Sequence, residues 1–309
     1  ESSEFVQDLY KKIRSGNINL IDLHIKKKVT ENGLIFALNE EEKTAGVFQC
    51  LTNKSDVFIP RSIIYKTTEY VVTTIHENSF NKSNSIKTIQ FPENSQIKLI
   101  EKKSFANSNL KFIKFPKSVN KISENAFYSC KKLEKVEFQK ESELKVIEKG
   151  AFELSQIESL SIPSSIKKFE EGWCVNASNL KNITVFPNKN EENFIYYENK
   201  FILGKSDSKS DKYDVLYFVR RDIEKVTVPV FIKKIASYAF SNCGLLKTVD
   251  FPENSKLKII GQCAFYASQI EKISIPSSVT QIEISTFSSC KNLKSVTFSE
   301  NSQLFYIGN

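Results

Sequence analysis

Phe91-Pro92-Glu93-Asn94-Ser95 returns letter for letter at Phe251-Pro252-Glu253-Asn254-Ser255, and Ile162-Pro163-Ser164-Ser165 returns at Ile275-Pro276-Ser277-Ser278. Each phrase ends an apolar run and opens a segment that closes on a large aromatic. Those aromatics are Phe80, Phe105, Phe127, Phe152, Trp173, Phe240, Phe265 and Phe287. Outside one interruption the steps between them are 25, 22, 25 and 21, then 25 and 22. Self-similarity at a period of about 20–30 residues is the mark of a stacked repeat. The longer step carries a loop such as Pro-Glu-Asn-Ser-Gln, the shorter one a tight Pro-Ser-Ser.

Within the unit that starts at Leu110, Leu110, Ile113 and Phe115 stand at positions 1, 4 and 6 of a leucine-rich-repeat strand. Strand side chains switch faces at every step, so positions 4 and 6 point inward and positions 3 and 5 outward. The same frame fits Ile86, Ile89 and Phe91; Leu133, Val136 and Phe138; Leu246, Val249 and Phe251; and Leu293, Val296 and Phe298. Proline directly after the strand suits a position that needs no ladder donor. A second apolar pair, such as Ile97 and Ile100 or Val279 and Ile282, is expected to line the opposite wall, and the Ala-Phe to plug the coil. No single turn buries these faces alone; stacking makes the core continuous. The predicted fold is a leucine-rich-repeat solenoid, mainly β with short helical turns, its parallel strands on one face.

From Trp173 to Phe240 is 67 residues, too long for one turn. The apolar runs Phe201-Ile202-Leu203 and Val215–Val219, separated by the polar stretch 206–212, read as a β-hairpin. Glu31-Asn32-Gly33-Leu34-Ile35-Phe36 and Gly46-Val47-Phe48 repeat the pattern near the start. One module used twice is therefore expected. The first hairpin would cover the amino end of the stack, and the second would bulge from its middle. The predicted organisation is an N-terminal amphipathic helix and connector (1–30), a capping hairpin (31–56), a first repeat block (57–185), a hairpin excursion (186–222) and a second block (223–309). Phe5, Leu9 and Ile13 form the apolar stripe of that helix, which Ser2 or Ser3 caps and Gly16 ends. The chain has no Met, starts at Glu1 and stops after Leu304 and Ile307 but before the Ala-Phe they announce, so a fragment truncated within a repeat is expected.

Composition excludes more than it selects. Nothing approaches the ~20 consecutive apolar residues that span a bilayer, so membrane insertion by this segment is not expected. Neither a secretion leader nor an anchor is legible. Of the six cysteines, Cys130, Cys243 and Cys290 each lie three residues after a closing Phe, one column of the repeat rather than a disulfide framework. They read as small buried hydrophobes. The net charge of +8 comes from lysine spread along the chain. Stacking would align some of it into a basic ridge favouring polyanions. Specific nucleic-acid binding is not expected, because the repeat core accounts for most of the 24 Phe and leaves few for base stacking.

No Gly-rich phosphate loop, Gly-x-Ser-x-Gly elbow or His-Glu-x-x-His is present. With two histidines and nine glycines the catalytic inventory is thin, and no enzyme, cofactor or metal site is predicted. Sequons at Asn53, Asn81, Asn176 and Asn182 are no more than an Asn-, Ser- and Thr-rich chain carries by chance.

Residues 273–293, with Ile-Pro-Ser-Ser-Val-Thr-Gln-Ile, a closing Phe and Ser-Ser-Cys-Lys-Asn-Leu, resemble the BspA-like, or treponemal-type, leucine-rich repeat. The resemblance covers roughly residues 57–309, and the hairpin at 194–219 is similar to an excursion common in that family. Trp173 in place of a closing Phe departs from the pattern. The resemblance implies a surface antigen with roles in adhesion to host cells or matrix proteins, and carries no catalytic or cofactor residues.

Two classes of function follow. In the first, an extracellular adhesin engages a protein partner or glycan through outward positions 3 and 5 of the strands. The candidate contacts are Phe112, Lys114, Lys135, Glu137, Lys225, Asp250 and Lys272, with Tyr196, Tyr197 and Tyr213 of the second hairpin as the other contact element. Phe112 stands out as an outward aromatic on a polar face. The alternative is a cytoplasmic scaffold using the same solenoid for intracellular partners. The partner's identity and the oligomeric state are open at this level.

Overall fold

The structure, a computed structural model, describes residues 27–139, 141–186, 193–209 and 211–309. The predicted N-terminal helix lies outside the described residues. The chain coils as a β-solenoid with two parallel ladders, a front and a rear, in each of two blocks. The first front ladder runs Asp56–Phe58, Thr88–Gln90, Phe112–Lys114, Lys135–Glu137, Ser159–Ile162, Asn182–Val185. The second runs Lys225–Thr227, Thr248–Asp250, Lys272–Ile275, Ser295–Phe298. Positions 4 and 6 are buried as the alternation requires: Ile113 and Phe115, Val136 and Phe138, Ile273 and Ile275. The apolar pairs behind the strands form the rear ladders through short bridges such as Leu99–Ile100, Lys121–Ile122, Val146–Ile147 and Lys168–Phe169.

The closing Ala-Phe segments are not helical turns, and no helix occurs among the described residues. Each is a third hydrogen-bonded wall. Asn78, Phe80 and Lys82 donate their N–H groups to Lys102, Ser104 and Ala106 of the next turn, and Lys103, Phe105 and Asn107 repeat the bonds to Glu124, Ala126 and Tyr128. Residues two before and two after each Phe plug have left-handed backbones, as at Asn78 and Lys82, Lys103 and Asn107, and Asn125 and Ser129. Alternating handedness aims every second N–H along the stack, satisfying donors that a buried segment must pair. The plugs then stack: ring centroids lie 5.0 Å apart from Phe80 to Phe105 and from Phe105 to Phe127, and 5.3 Å from Phe127 to Phe152.

The cysteine column serves the same wall. The thiols of Cys130 and Cys290 donate to the carbonyls of Phe105 and Phe265 at 3.0 and 2.9 Å. Burial pushes the Cys130 thiol up to about 11, so it stays a neutral donor. All six cysteines are free thiols.

The module expected twice is a three-stranded antiparallel meander in each copy: Lys28–Glu31, Leu34–Asn39 and Thr44–Cys50, then Phe194–Tyr197, Phe201–Gly204 and Val215–Val219. Both first turns place Glu-Asn at the corner, with positive φ at Asn32, Glu198 and Asn199. The last strand of each copy joins a rear ladder in parallel, Val47 opposite Ile75 and Leu216 opposite Ile235.

The second meander does not bulge from the stack. It is a wall between two cores, buried on both faces. Ile202, Phe218 and Phe194 pack into the first core, whereas Phe201, Leu203 and Leu216 pack into the second. Phe194 lies 4.8 Å from Phe169, and Phe218 lies 5.8 Å from Trp173, so the larger ring at the end of the first block meets the meander. The equivalents of Phe194, Ile202 and Phe218 in the first copy are Lys28, Ile35 and Gln49, by ladder register. Two of three have become polar, and Lys28 and Gln49 are exposed. A partition between two cores needs two apolar faces, and the second copy has both.

Asp214 ties the tip of this wall to the next turn. Its carboxylate accepts from the Ser206 amide and hydroxyl, both at 2.9 Å, and pairs with Lys233 at 3.0 Å. Burial would raise its pKa, but these bonds outweigh it and hold the group below its ordinary value of 3.8. A depressed carboxylate stabilises the fold above its unfolded pKa and loses that contribution as pH falls through the folded one. The wild-type melting temperature should therefore drop below pH 3.8 more steeply than that of Asp214→Asn, measured by circular dichroism; parallel curves would contradict this role.

Candidate strand-face site

The outward columns of the front ladders are brought into register as parallel rows. Lys135 lies beside Phe112 and Ser159, Glu137 beside Lys114, and Lys225, Thr248 and Lys272 follow one another. Adjacent rows are about 4.8 Å apart. Two shallow hollows open on this face. One of about 670 Å³ lies over the first block, with Lys114, Lys135, Glu137, Ser161, Asn182 and Thr184 among its walls. The other, of about 650 Å³, lies over the second, with Asp250, Lys272, Ser274, Ser295 and Thr297.

The candidate residues differ in what they have free to offer. Lys135 pairs with Glu137, and Lys225 pairs with Asp250 at 3.1 Å. Exposed pairs of this kind contribute ~0–1 kcal/mol, so a ligand can break them at small cost. Lys114 and Lys272 are exposed. Phe112 is half-buried, with the Lys135 ammonium 5.9 Å from its ring centroid. Short hydroxyl side chains dominate the remaining positions, and a hydrogen-bonded ladder holds them. Such a surface loses little conformational entropy when it is covered.

The front face also contains a second outward aromatic that the strand frame passed over. Phe58 occupies position 5 of the first front strand and is 54% exposed. Its neighbour Asp56 accepts from the Ser55 and Thr88 hydroxyls, which hold its carboxyl below the usual range. Position 1 of that strand is Lys54 rather than Leu, so the leucine frame does not register it. The alternation of Val57 and Ile59 before Pro60 was the available signal.

The tyrosines do not join these residues. Tyr196 and Tyr197 lie on the second meander, which belongs to the rear sheet. The Tyr196 hydroxyl donates to the Asn199 carbonyl at 2.9 Å, while the Tyr197 ring meets Phe201 and Phe231. Tyr213 lies just before the Val215–Val219 strand with the Lys205 ammonium 5.1 Å from its ring. The front ladder is itself interrupted: Asn182–Val185 ends the first sheet and Lys225–Thr227 begins the second. The strand face is thus two platforms. Among the described residues there is no cluster of three or more metal-ligating side chains and no helix long and apolar enough to cross a membrane.

The repeat matches the BspA type leucine rich repeat region family in six copies, over residues 73–200 and 215–309. The chain belongs to that family. No curated protein matches it in sequence. Among solved structures, this BspA-type chain is similar to the pneumococcal vaccine antigen PcpA, with a TM-score of 0.73 at 24% identity over 92% of this chain and 78% of that one. It is also similar to a leucine-rich repeat protein from Bacteroides ovatus, with TM-score 0.59, 20% identity and coverage of 91% and 78%. A leucine rich cell surface protein from Faecalibacterium prausnitzii gives TM-score 0.51 at 17% identity over 88% of this chain and 95% of that one. At these identities the likeness establishes a shared fold.

Proposed function

We propose that this BspA-type chain is a non-enzymatic protein-binding module of a cell-surface antigen or adhesin, and that its first front platform is the contact surface. The observation that carries the reading is the presence of two outward aromatics, Phe58 and Phe112, on an otherwise polar ladder, with a hollow of about 670 Å³ opening at the row next to Phe112. The core does not require aromatics at positions 3 and 5, and aromatic anchors framed by polar groups are what binding hot spots are made of. Lys114 and the Lys135–Glu137 pair would supply orientation, and Lys225, Asp250 and Lys272 on the second platform a subsidiary contact. Surface display rests on the fold shared with a vaccine antigen and a cell surface protein.

The second reading, a cytoplasmic scaffold on the same platforms, is favoured by one observation: six cysteines and six free thiols, as a reducing compartment maintains. Antibody labelling of the intact protein on unpermeabilised cells separates the two. Labelling outside supports the adhesin, and labelling only after permeabilisation overturns it. The contact surface is tested by capture of the purified chain on host cells and matrix proteins. Phe58→Ala with Phe112→Ala should weaken capture at least tenfold, the ~1.4 kcal/mol or more expected of an anchor pair, with an unchanged melting temperature. Full binding after substitution of both columns would remove the strand face as the site.

A further inference from the structure

The rear wall of the first block presents a second surface, independent of the front platforms. Its outward positions fall on two adjacent columns, one pair per turn: Lys98 and Leu99, Asn120 and Lys121, Lys145 and Val146, Lys167 and Lys168. Backbone bonds run directly along it, from Asn120 to Lys98, from Lys145 to Asn120 and from Lys167 to Lys145, so the pairs are held in register. Four turns at about 4.8 Å give a row of roughly 15 Å. Five of its eight residues are lysines, and no carboxylate lies in either column.

Lys121 and Lys168 pair with Glu148 and Glu170 of the neighbouring row. Lys98, Lys145 and Lys167 are exposed and have no side-chain partner among the described residues. The same columns in the second block are treated differently. Lys233 pairs with the buried Asp214 at 3.0 Å, Lys234 pairs with Glu171 at 2.8 Å, and Lys258 is held by Gln303 at 3.2 Å. The lysines of the inner column are paired in both blocks, but the outer column, neutralised or held at Lys233 and Lys258 in the second block, is left open at Lys98, Lys145 and Lys167 in the first. A solvated lysine surface does not require that asymmetry.

We propose that the rear ridge of the first block binds a linear sulfated polysaccharide, with Lys98, Lys145 and Lys167 as its principal contacts. The form of the row favours this polyanion over others. It is one residue pair wide, which suits a single chain lying along it rather than a membrane plane. Its apolar members are Leu99 and Val146, so it has no aromatic platform on which bases stack. Lysine ammonium groups contact sulfates as point charges, and release of counterions makes such binding salt-dependent.

The test uses the full chain and a fluorescent heparin oligosaccharide, followed by anisotropy at several salt concentrations. The triple variant Lys98→Gln/Lys145→Gln/Lys167→Gln should bind at least about tenfold more weakly, with a shallower salt dependence. A charge-matched control, Lys131→Gln/Lys132→Gln/Lys291→Gln, alters exposed turn lysines and should change affinity less than about threefold. Melting curves of both variants should match the wild type, because no ion pair is removed. Equal losses in the two variants, or none in the first, would overturn the ridge. So would single-stranded DNA of the same charge competing as well as the oligosaccharide.

Discussion

Phe127→Ala should cost about 3–5 kcal/mol of stability, the range for emptying a packed aromatic site. Phe127 is completely buried in the middle of a stacked column, 5.0 Å from Phe105 and 5.3 Å from Phe152, with Phe115 edge-on at 5.9 Å. Its amide is bonded to the Ala151 carbonyl, so the backbone wall is pinned and cannot collapse into the void. In a linear stack each turn touches only its neighbours, and removing a central plug weakens two interfaces at once. Urea denaturation followed by circular dichroism measures the loss. A loss below about 1 kcal/mol for Phe127→Ala would show that the coil closes around the missing ring.

The repeat was legible because its physics is periodic. Alternating positions in the strand, the proline that ends it and the closing aromatic all recur at fixed offsets, so one unit read correctly gives the rest. The third wall was not legible as such. Asn78, Lys103, Asn125 and Tyr238 share a left-handed backbone but not a residue type, and the hydrogen bonds that hold it are main-chain bonds. Ala-Phe between such residues therefore reads as a helical turn. The second meander was found as a hairpin, yet its role as a wall follows from which core each face meets. Phe201-Ile202-Leu203 is apolar at every position, the pattern of a strand covered on both sides. The strand-face columns could be laid out in advance from alternation alone, apart from Phe58, hidden by Lys54 at the leucine position. The ion pairs that occupy Lys135, Glu137, Lys225 and Asp250 depend on register between turns, which spacing in one turn does not carry.

Arg221→Ala should cost a similar ~3–5 kcal/mol, whereas Arg221→Met should leave the protein at least as stable as the wild type. Arg221 is 3% exposed at the junction of the two blocks. Its guanidinium donates to the Ala239 carbonyl at 2.9 Å and to the Cys243 sulfur at 3.3 Å on the second block, and reaches the Cys174 sulfur on the first at 3.8 Å. The Phe218 ring of the meander lies 4.5 Å away. Burial pushes the Cys174 thiol up to about 11, so it does not neutralise the charge, and no carboxylate among the described residues is bonded to the guanidinium. The Nε donor has no partner among the described residues. The side chain thus fills the seam while carrying a desolvation cost that dipoles and a ring face repay only in part. Alanine loses the filling and opens a cavity across the seam; methionine keeps most of the volume and discards the cost. The Ala239 carbonyl still accepts from the Val219 amide in either variant, so no buried acceptor is orphaned. Thiol labelling under native conditions gives an independent readout: Cys174 and Cys243 should react in Arg221→Ala and stay protected in the wild type and in Arg221→Met. If methionine destabilised the chain as much as alanine, the charge itself, rather than the space it fills, would be what joins the two blocks.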